Sequence, residues 1–556
     1  MSFSPSKEYQ INPWVVMAVF AVLVGPFALS FHMHYPDEMY YTDAAVKMLQ
    51  TGDYLTTYLG SGELRFKKPI GTYWAVIAGF KLFGVNAFGS RFFFLIAGAV
   101  TVGLTYWLGK ILFEDRKIAG LSSLIMAANP VLIFSATRSI PDVLLVLTMT
   151  ASAIGFAGLI RYGNDAPKKF FWILYLGLGV AFEVKGLPAV ALGGLGLIYL
   201  LVNPWQRISL KTLIHLPSLL VSLFIALFWF VAMYQIHGPT YLDSFLEDQV
   251  GIRVASRVLL IVQNGFLALA LLIAIFIPWV FFAFPKAKET LRKTWKENAA
   301  FFGFAILWGL AILAMGAMTS RFYERYLLPV APVLAVWLGW FLVRADFEIR
   351  RNGLKIAAAV FISLNLIILI FSFWLNLRLG SSPWVWAQLS LGILILIYLG
   401  RLLLRDQKMA KAISYNMILL FFLASTATYQ ISFPDQGKQL KAFALEHGID
   451  PNEEIGFAGN LHVSSKIRIG LGPDFNMVDL PRQDWSEYVN KYPYLILEDK
   501  LLTQIDSAKY EILMASINWD SKGIPDLLMT AGTTEFDSLL MQNGKKYYWL
   551  RRKFTQ

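Results

Sequence analysis

The sequence predicts an all-α polytopic membrane domain followed by a small C-terminal α/β domain outside the membrane. Three observations carry this. The chain has 556 residues of which 56% are hydrophobic and only 15% charged, where soluble domains carry roughly a quarter charged residues. Apolar runs near the length of ~20 residues that a bilayer demands recur from Pro13 to Tyr429. Beyond about Ser432 the composition turns polar, with turn clusters such as Gly470-Leu471-Gly472-Pro473 and short alternating runs. The predicted units are therefore 1–431, a transmembrane domain with outer loops 33–89 and 237–263, and 432–556, a soluble extracytoplasmic domain.

About 13 spans are expected at the usual span length. They lie near 13–32, 90–112, 118–136, 141–161, 170–184, 186–202, 213–236, 264–284, 299–318, 326–344, 355–376, 384–404 and 411–430. The first run, Trp14 to Phe31, is long enough to remain a helix and lacks a small-x-small cleavage site. The runs 170–184 and 186–202 are separated because Glu183 and Lys185 favour a turn at the membrane surface. Pro69 to Phe83 is short, contains Lys81 and precedes Gly84, so it reads as a helix lying on the membrane surface.

The loops choose the orientation. Lys110–Lys117, Arg161–Lys169, Lys286–Lys296, Arg344–Lys355 and Arg401–Lys411 are rich in Lys and Arg and fall on one side of this count. The positive-inside rule makes that side, and the N-terminus, cytoplasmic. The C-terminal domain is then extracytoplasmic. There, GKQLKAFALEHG reads as an amphipathic helix closed by Gly, and EEIGFAG, NMVDL, YPYLILEDK and KKYYWLRRK read as strands.

Several classes are excluded. The net charge of +12 sits in short inter-span loops, which is topology and not a nucleic-acid surface. The chain has no cysteine, so disulfide and thiolate chemistry are absent. It shows no phosphate loop of the P-loop pattern, no internal repeat and no low-complexity tract.

The outer loops hold residues that a simple connector does not need. Asp37 and Glu38 follow the first span. Asp37 is a candidate helix N-cap, or alternatively a carboxylate for acid–base work at the membrane surface. Lys67-Lys68-Pro69 sets two cations there, for headgroup attraction or for holding a phosphate. Arg138 and Asp142 stand near the outer start of the fourth span, Lys185-Gly186 in an outer turn, Arg253 and Arg257 in the second long loop, and Arg321, Arg325 and Tyr326 before LLPVAP. Each alone suits an interface anchor. Together they suit an anionic lipid phosphate held through charge-assisted hydrogen bonds.

In order along the chain stand Asp37-Glu38, MLQTGDYLTTYLGSGELRFKKPIGTYW, FGVNAFGSRFF, TRSIPD, AFEVKGLPAV, WFVAMYQIHGPTYLDSFLEDQVGIRV and RFYERYLLPVAP. With this ordered set the chain resembles the C-type membrane glycosyltransferases (GT-C), in the lipid A aminoarabinose transferase and protein O-mannosyltransferase-like group. The match covers most of the membrane region and is weak over the C-terminal domain. The resemblance implies an enzyme of a bacterial inner membrane. It would move a sugar from an undecaprenyl-phosphate carrier, on the outer side, to a lipid, glycan or protein acceptor of the cell envelope. It places the general base or acceptor-orienting carboxylate at Asp37, with Glu38 beside it. It places carrier-phosphate contacts at Lys68, Arg253 and Tyr326, and a carrier-binding or site-shaping cation at Lys185. The leaving group is a phosphate monoester, so electrostatic stabilisation and placement carry the catalysis.

The chain also departs from that pattern. In the aminoarabinose branch a Glu before the Lys-Pro lysine forms a metal site with an Asp and a His. Here those positions carry Lys67, Asp142 and, near the third, Asp248. A protonated lysine cannot ligate a divalent cation, so this metal site is expected to be absent or rebuilt, with no certain cofactor and a divalent metal still an option, and the Lys67 ammonium is expected to pair with Asp142, Asp248 or both. An Arg that follows the Asp-Glu pair in the family is replaced by Tyr40 or Tyr41, which weakens any assignment of lipid A as acceptor. Two further readings compete: a transporter or flippase of lipid-linked glycans, which would show inverted repeats and helices broken near the midplane, and a non-catalytic glycan-binding membrane protein.

Overall fold

A computed structural model of the chain describes residues 11–30, 37–247, 258–283, 287–344, 347–404, 408–432, 435–481, 485–519 and 523–553. In chain order the first half comprises α1 (Pro13–Ser30), α2 (Glu38–Thr51), α3 (Gly71–Phe83), α4 (Ala87–Phe113), α5 (Arg116–Ala127), α6 (Pro130–Ala136), α7 (Pro141–Tyr162), α8 (Lys168–Lys185) and α9 (Leu187–Val202). There follow α10 (Leu210–Leu213), α11 (Leu216–His237), α12 (Pro239–Leu246), α13 (Val258–Ala274), α14 (Trp279–Ala283), α15 (Ala287–Ala317), α16 (Ala331–Arg344), α17 (Phe347–Leu379), α18 (Pro383–Leu404) and α19 (Met409–Ser432). One continuous apolar core runs through these helices from Ile11 to Leu423. Exposed Leu, Ile, Val and Phe side chains cover the outside of α11, α17 and α18, as a helix facing lipid requires. The chain is a multi-pass membrane protein.

Among the described residues, eight helices are long and apolar enough to cross a membrane, or nine if a bent pair counts as one span. Helices underlie all the expected spans, but the count of about 13 is not reached by length and apolarity. Three of them, Pro13–Leu29, Leu187–Val202 and Val258–Ala274, are apolar but shorter. Helix α8 carries Lys168, Lys169, Glu183 and Lys185 at its ends, which shortens its apolar stretch. The expected span 118–136 is the bent pair, α5 and α6, meeting at 61°. Asn129 caps the second member by accepting from the amides of Val131 and Leu132, and Pro130 at its start cannot continue the hydrogen-bond ladder of the first. The segment after Pro69 forms the 13-residue α3, short of the ~20 residues of a span.

Two breaks shape the membrane face that carries α2 and α3. Gly186 has φ +72°, a left-handed conformation that glycine adopts without strain, and here the chain leaves α8 and starts α9. Gly71 meets α8 closely: a Cβ on it would lie 2.8 Å from the Glu183 carbonyl oxygen. That approach brings the Lys67-Lys68 segment beside Lys185.

The C-terminal region has α20 (Gln436–Glu446), β1 (Ile455–Ala458), α21 (Leu461–Leu471), β2 (Met477–Asp479), β3 (Tyr494–Glu498), β4 (Tyr510–Asn518) and β5 (Lys545–Arg552). They form a five-stranded sheet of order β2-β1-β3-β5-β4. β1 is parallel to β2 and β3, while β5 runs antiparallel to β3 and β4. β4 was not expected from sequence: its burial alternates poorly along YEILMASIN, as on an edge strand with one neighbour. Apolar clusters lie on both sides of this sheet.

This region seats on α2. Thr42 meets Ser465 across 3.2 Å, Lys47 donates to Asn476 across 2.9 Å, and Gln50 donates to the carbonyls of Pro473 and Phe475. Arg468 lies between Asp43 at 2.6 Å and Asp479 at 2.8 Å. All three are buried.

Candidate active site

A cavity of about 420 Å³ opens where the α2 start, the loop before α3, the α7 start, the α8 end and the turn before α16 converge. Asp37 immediately precedes α2. Its side chain makes no capping hydrogen bond, so the cap role does not use it. Instead it receives Arg325 Nη2 at 2.5 Å and is 40% exposed towards the cavity. Arg325 reaches Asp142 through Nε at 3.2 Å, and Asp142 accepts from Lys185 Nζ at 2.5 Å. A chain of alternating charge thus runs Asp37, Arg325, Asp142, Lys185. Its inner members are buried and its first member faces the opening.

Aromatic faces hold the cations in place. The Arg325 guanidinium lies 4.1 Å from the Tyr323 ring centre, and Lys185 Nζ 4.8 Å from that of Tyr326. Arg65 sits 4.4 Å above Tyr40 and donates to the Tyr73 hydroxyl across 2.5 Å. Such cation–π contacts fix a charged group where water is scarce. Burial raises the Tyr41 hydroxyl well above the ordinary tyrosine range, with Tyr73 adding to the shift and Arg65 opposing it. Tyr41 therefore stays a neutral wall.

Of the residues singled out from sequence, Asp37, Lys67, Lys68, Asp142, Lys185 and Tyr326 all line this one cavity. Arg253 and Asp248 lie outside the described residues. Two assignments are corrected. Glu38 does not reach the cavity: it is fully buried, paired with Arg91 Nη2 at 2.7 Å and accepting from the Ser139 amide at 2.8 Å. Successive residues of a helix start point about 100° apart, so when Asp37 faces the cavity its neighbour turns into the bundle. Glu38 ties α2 to α4 and to the loop before α7. The second correction is partial: Asp142 pairs with Lys185 and Arg325, not with Lys67, while the other expected partner of Lys67, Asp248, lies outside the described residues. Lys67 lines the same cavity from the loop before α3.

Sequence reasoning under-used two cations. Arg325 was noted only as an outer-side charge, yet it bridges both carboxylates. Arg65 was not singled out. Its signal is the run Arg65-Phe66-Lys67-Lys68, three cations in four residues, and all three line the cavity. Lys68 is itself buried. Five lining cations face two lining carboxylates, so the wall can accept further negative charge. Among the described residues no group of three His, Cys, Asp or Glu stands ready for a metal ion. Among the described residues at the family's metal positions, Asp142 has both oxygens on cations, a donor set that fits a divalent ion poorly.

A second cleft of about 460 Å³ shares Lys185, Arg325 and Tyr326 with the first. Beyond them its lining is mostly apolar, with Leu145, Leu187, Pro188, Ile312 and Met315, while Thr319, Ser320 and Arg321 border one part of it. Charged cavity and apolar cleft thus meet at three shared side chains.

Comparison with known proteins bears on this geometry. Residues 14–242 match the family model described as dolichyl-phosphate-mannose-protein mannosyltransferase. An uncharacterised protein of Aquifex aeolicus is 29% identical over 322 residues, 58% of this chain and 60% of that one. An undecaprenyl phosphate-alpha-4-amino-4-deoxy-L-arabinose arabinosyl transferase 2 of Pseudomonas fluorescens is 26% identical over 326 residues, 58% of this chain and 54% of that one. The matched region thus spans a little over half the length of these relatives. The crystal structure of ArnT from Cupriavidus metallidurans bound to undecaprenyl phosphate superposes with a TM-score of 0.69 at 19% identity, covering 90% of this chain and 96% of that one. The resemblance read from the ordered motifs holds: the chain has the architecture of the C-type membrane glycosyltransferases of the aminoarabinose transferase and mannosyltransferase type.

Proposed function

We propose that this chain is a glycosyltransferase that moves a sugar from a polyprenyl-phosphate carrier to a hydroxyl or phosphate of a cell-envelope acceptor. The reaction would take place at the outer face of a bacterial inner membrane. One observation carries this reading: a carboxylate held by Arg325 faces a cation-rich cavity that continues into an apolar cleft. The cavity suits a phosphate and a sugar, and the cleft suits a prenyl chain. Basic inter-span loops put the opposite face in the cytoplasm, which leaves the cavity and the C-terminal domain outside.

In the proposed step the bond between the anomeric carbon and the carrier phosphate oxygen breaks. Its electron pair stays on the phosphate. Lys68, Lys67 and Arg65 stabilise that growing charge from preset positions, which is the largest contribution such a site makes. The acceptor oxygen forms the new bond to the anomeric carbon. Asp37 takes its proton, if it carries one, or orients it. Arg325 holds Asp37 aimed at the cavity, and Asp142 with Lys185 keeps Arg325 in place. No step passes through a metal ion.

A transporter of lipid-linked glycans is less well supported, because the unusual charges gather at one membrane face and not near the midplane. The test is transfer by purified protein from a panel of polyprenyl-phosphate sugars to cell-envelope acceptors. Transfer that Asp37→Asn abolishes, with carrier binding retained, supports the reading. Absence of transfer across the panel, with carrier movement across vesicles instead, sinks it.

A further inference from the structure

A second cavity, also about 420 Å³, lies apart from Asp37 where the C-terminal domain meets the outer ends of α1 and α4. One wall carries Lys438, Lys441 and Lys466, with Asp435 the one lining carboxylate. Lys438 and Lys441 have loose carboxylate neighbours, Asp435 at 3.8 Å and Asp474 at 3.4 Å. Lys466 differs. Among the described residues its ammonium forms no ion pair or hydrogen bond, although burial pulls its pKa down to about 8, with Lys545 and Arg91 adding to the shift and Asp435 and Glu38 opposing it. Lys466 is half-buried on the cavity wall, and an ammonium that has lost part of its hydration without gaining an ion pair favours an anion beside it. Two helix starts converge here as well, Asn86-Ala87 of α4 and Asp435-Gln436 of α20. Helix starts favour negative charge.

The opposite wall is of another kind. Leu29, at the end of α1, is 47% exposed, and Val85 and Phe88 lie beside it. Phe88 packs on Phe83 at 5.2 Å and on Phe92 at 5.6 Å, an aromatic group at the membrane end of α4. Aromatic clusters of this kind mark the headgroup level.

We infer that this cavity binds a phosphate group, its charge held by Lys438, Lys441 and Lys466 and its source a lipid headgroup whose chains lie along Leu29 and Phe88. A bilayer lipid bound here would join the C-terminal domain to the membrane helices. It occupies different residues from the proposed carrier site, so either can fail without the other.

The test uses purified full-length protein titrated with dioctanoyl phosphatidic acid, dioctanoyl phosphatidylcholine and inorganic phosphate. Phosphatidic acid is expected to bind, and Lys441→Gln/Lys466→Gln to weaken it at least about tenfold. Lys68→Gln, in the other cavity, should leave this binding within about twofold. Lys466→Arg should restore it in the double variant's place, and exposed Lys438→Gln/Lys441→Gln covers the case in which Lys466→Gln fails to fold. Phosphatidic acid binding tighter than inorganic phosphate supports the headgroup source, and equal binding supports a free phosphate in the same site. Binding insensitive to all three lysines, or lost with Lys68→Gln alone, overturns the proposal.

Discussion

Helix α2 carries two versions of one device within six residues. At its start, Arg325 stands between Asp37 and Asp142. One and a half turns on, Arg468 stands between Asp43 and Asp479. Both place a guanidinium between two carboxylates, yet their surroundings differ. The first borders a cavity where Arg65, Lys67, Lys68 and Lys185 supply extra positive charge, and Asp37 is 40% exposed. The second is sealed under the C-terminal domain, with Arg468 1% exposed. There the nearby cation is Lys47, whose pKa burial lowers to about 8, with Arg468 adding to the shift. Surplus cations and an open side suit the binding and chemistry of an anion. A closed pair of carboxylates on one arginine suits adhesion between two parts of the chain.

The largest expected effect tests the open version. Asp37→Asn should lower transfer by about 10²–10⁴-fold, the range of a lost general base, while carrier binding changes by no more than a few-fold. Transfer that survives intact would make Asp37 a mere partner of Arg325. The next tests the closed version. Arg468→Met leaves two buried carboxylates facing each other and should cost about 3–5 kcal/mol of stability. Activity per folded molecule should change little, and thermal melting with an activity assay below the transition reads both.

A smaller effect separates the two by pH. Burial raises Asp43 from 3.8 to about 6, with Asp479 reinforcing the rise and Arg468 and Ser465 opposing it. A carboxyl raised on seating of the domain stabilises it most when protonated. Its contribution is therefore full below about pH 4 and is lost as pH rises through about 6, by about 3 kcal/mol at most. The difference in melting temperature between the native chain and Asp43→Asn should follow that window, and a flat difference from pH 4 to 7 would refute it. The smallest effect returns to the cavity. Lys68→Gln should weaken carrier binding by about 2 kcal/mol, the value of one charge-assisted hydrogen bond. Isothermal titration with a polyprenyl phosphate measures it.

Much of this was legible before any coordinates. Apolar runs of bilayer length marked the membrane domain, and the polar shift near Ser432 marked the sheet region. Six of the sequence-selected residues share one cavity because they stand at helix ends or in the loop before α3, and topology collects those on one face. What failed was finer. The pair Asp37-Glu38 looked like two carboxylates with one purpose. The count of about 13 spans is not confirmed by length and apolarity among the described residues, where the bend at Asn129-Pro130 and the charged ends of α8 interrupt the apolar stretches. The strand β4 escaped because an edge strand needs no strict alternation.

By itself the amino-acid sequence determined that the chain lives in a bilayer and which residues collect at one of its faces, since both follow from local apolarity and charge. Only tertiary structure decided which of two adjacent acids turns to the cavity, that Lys185 and Arg325 rather than Lys67 hold Asp142, and that Arg468 closes the domain onto α2. Those outcomes depend on helix phase and on side chains brought together from hundreds of residues apart, and ion pairing acts only over the few ångströms that packing sets.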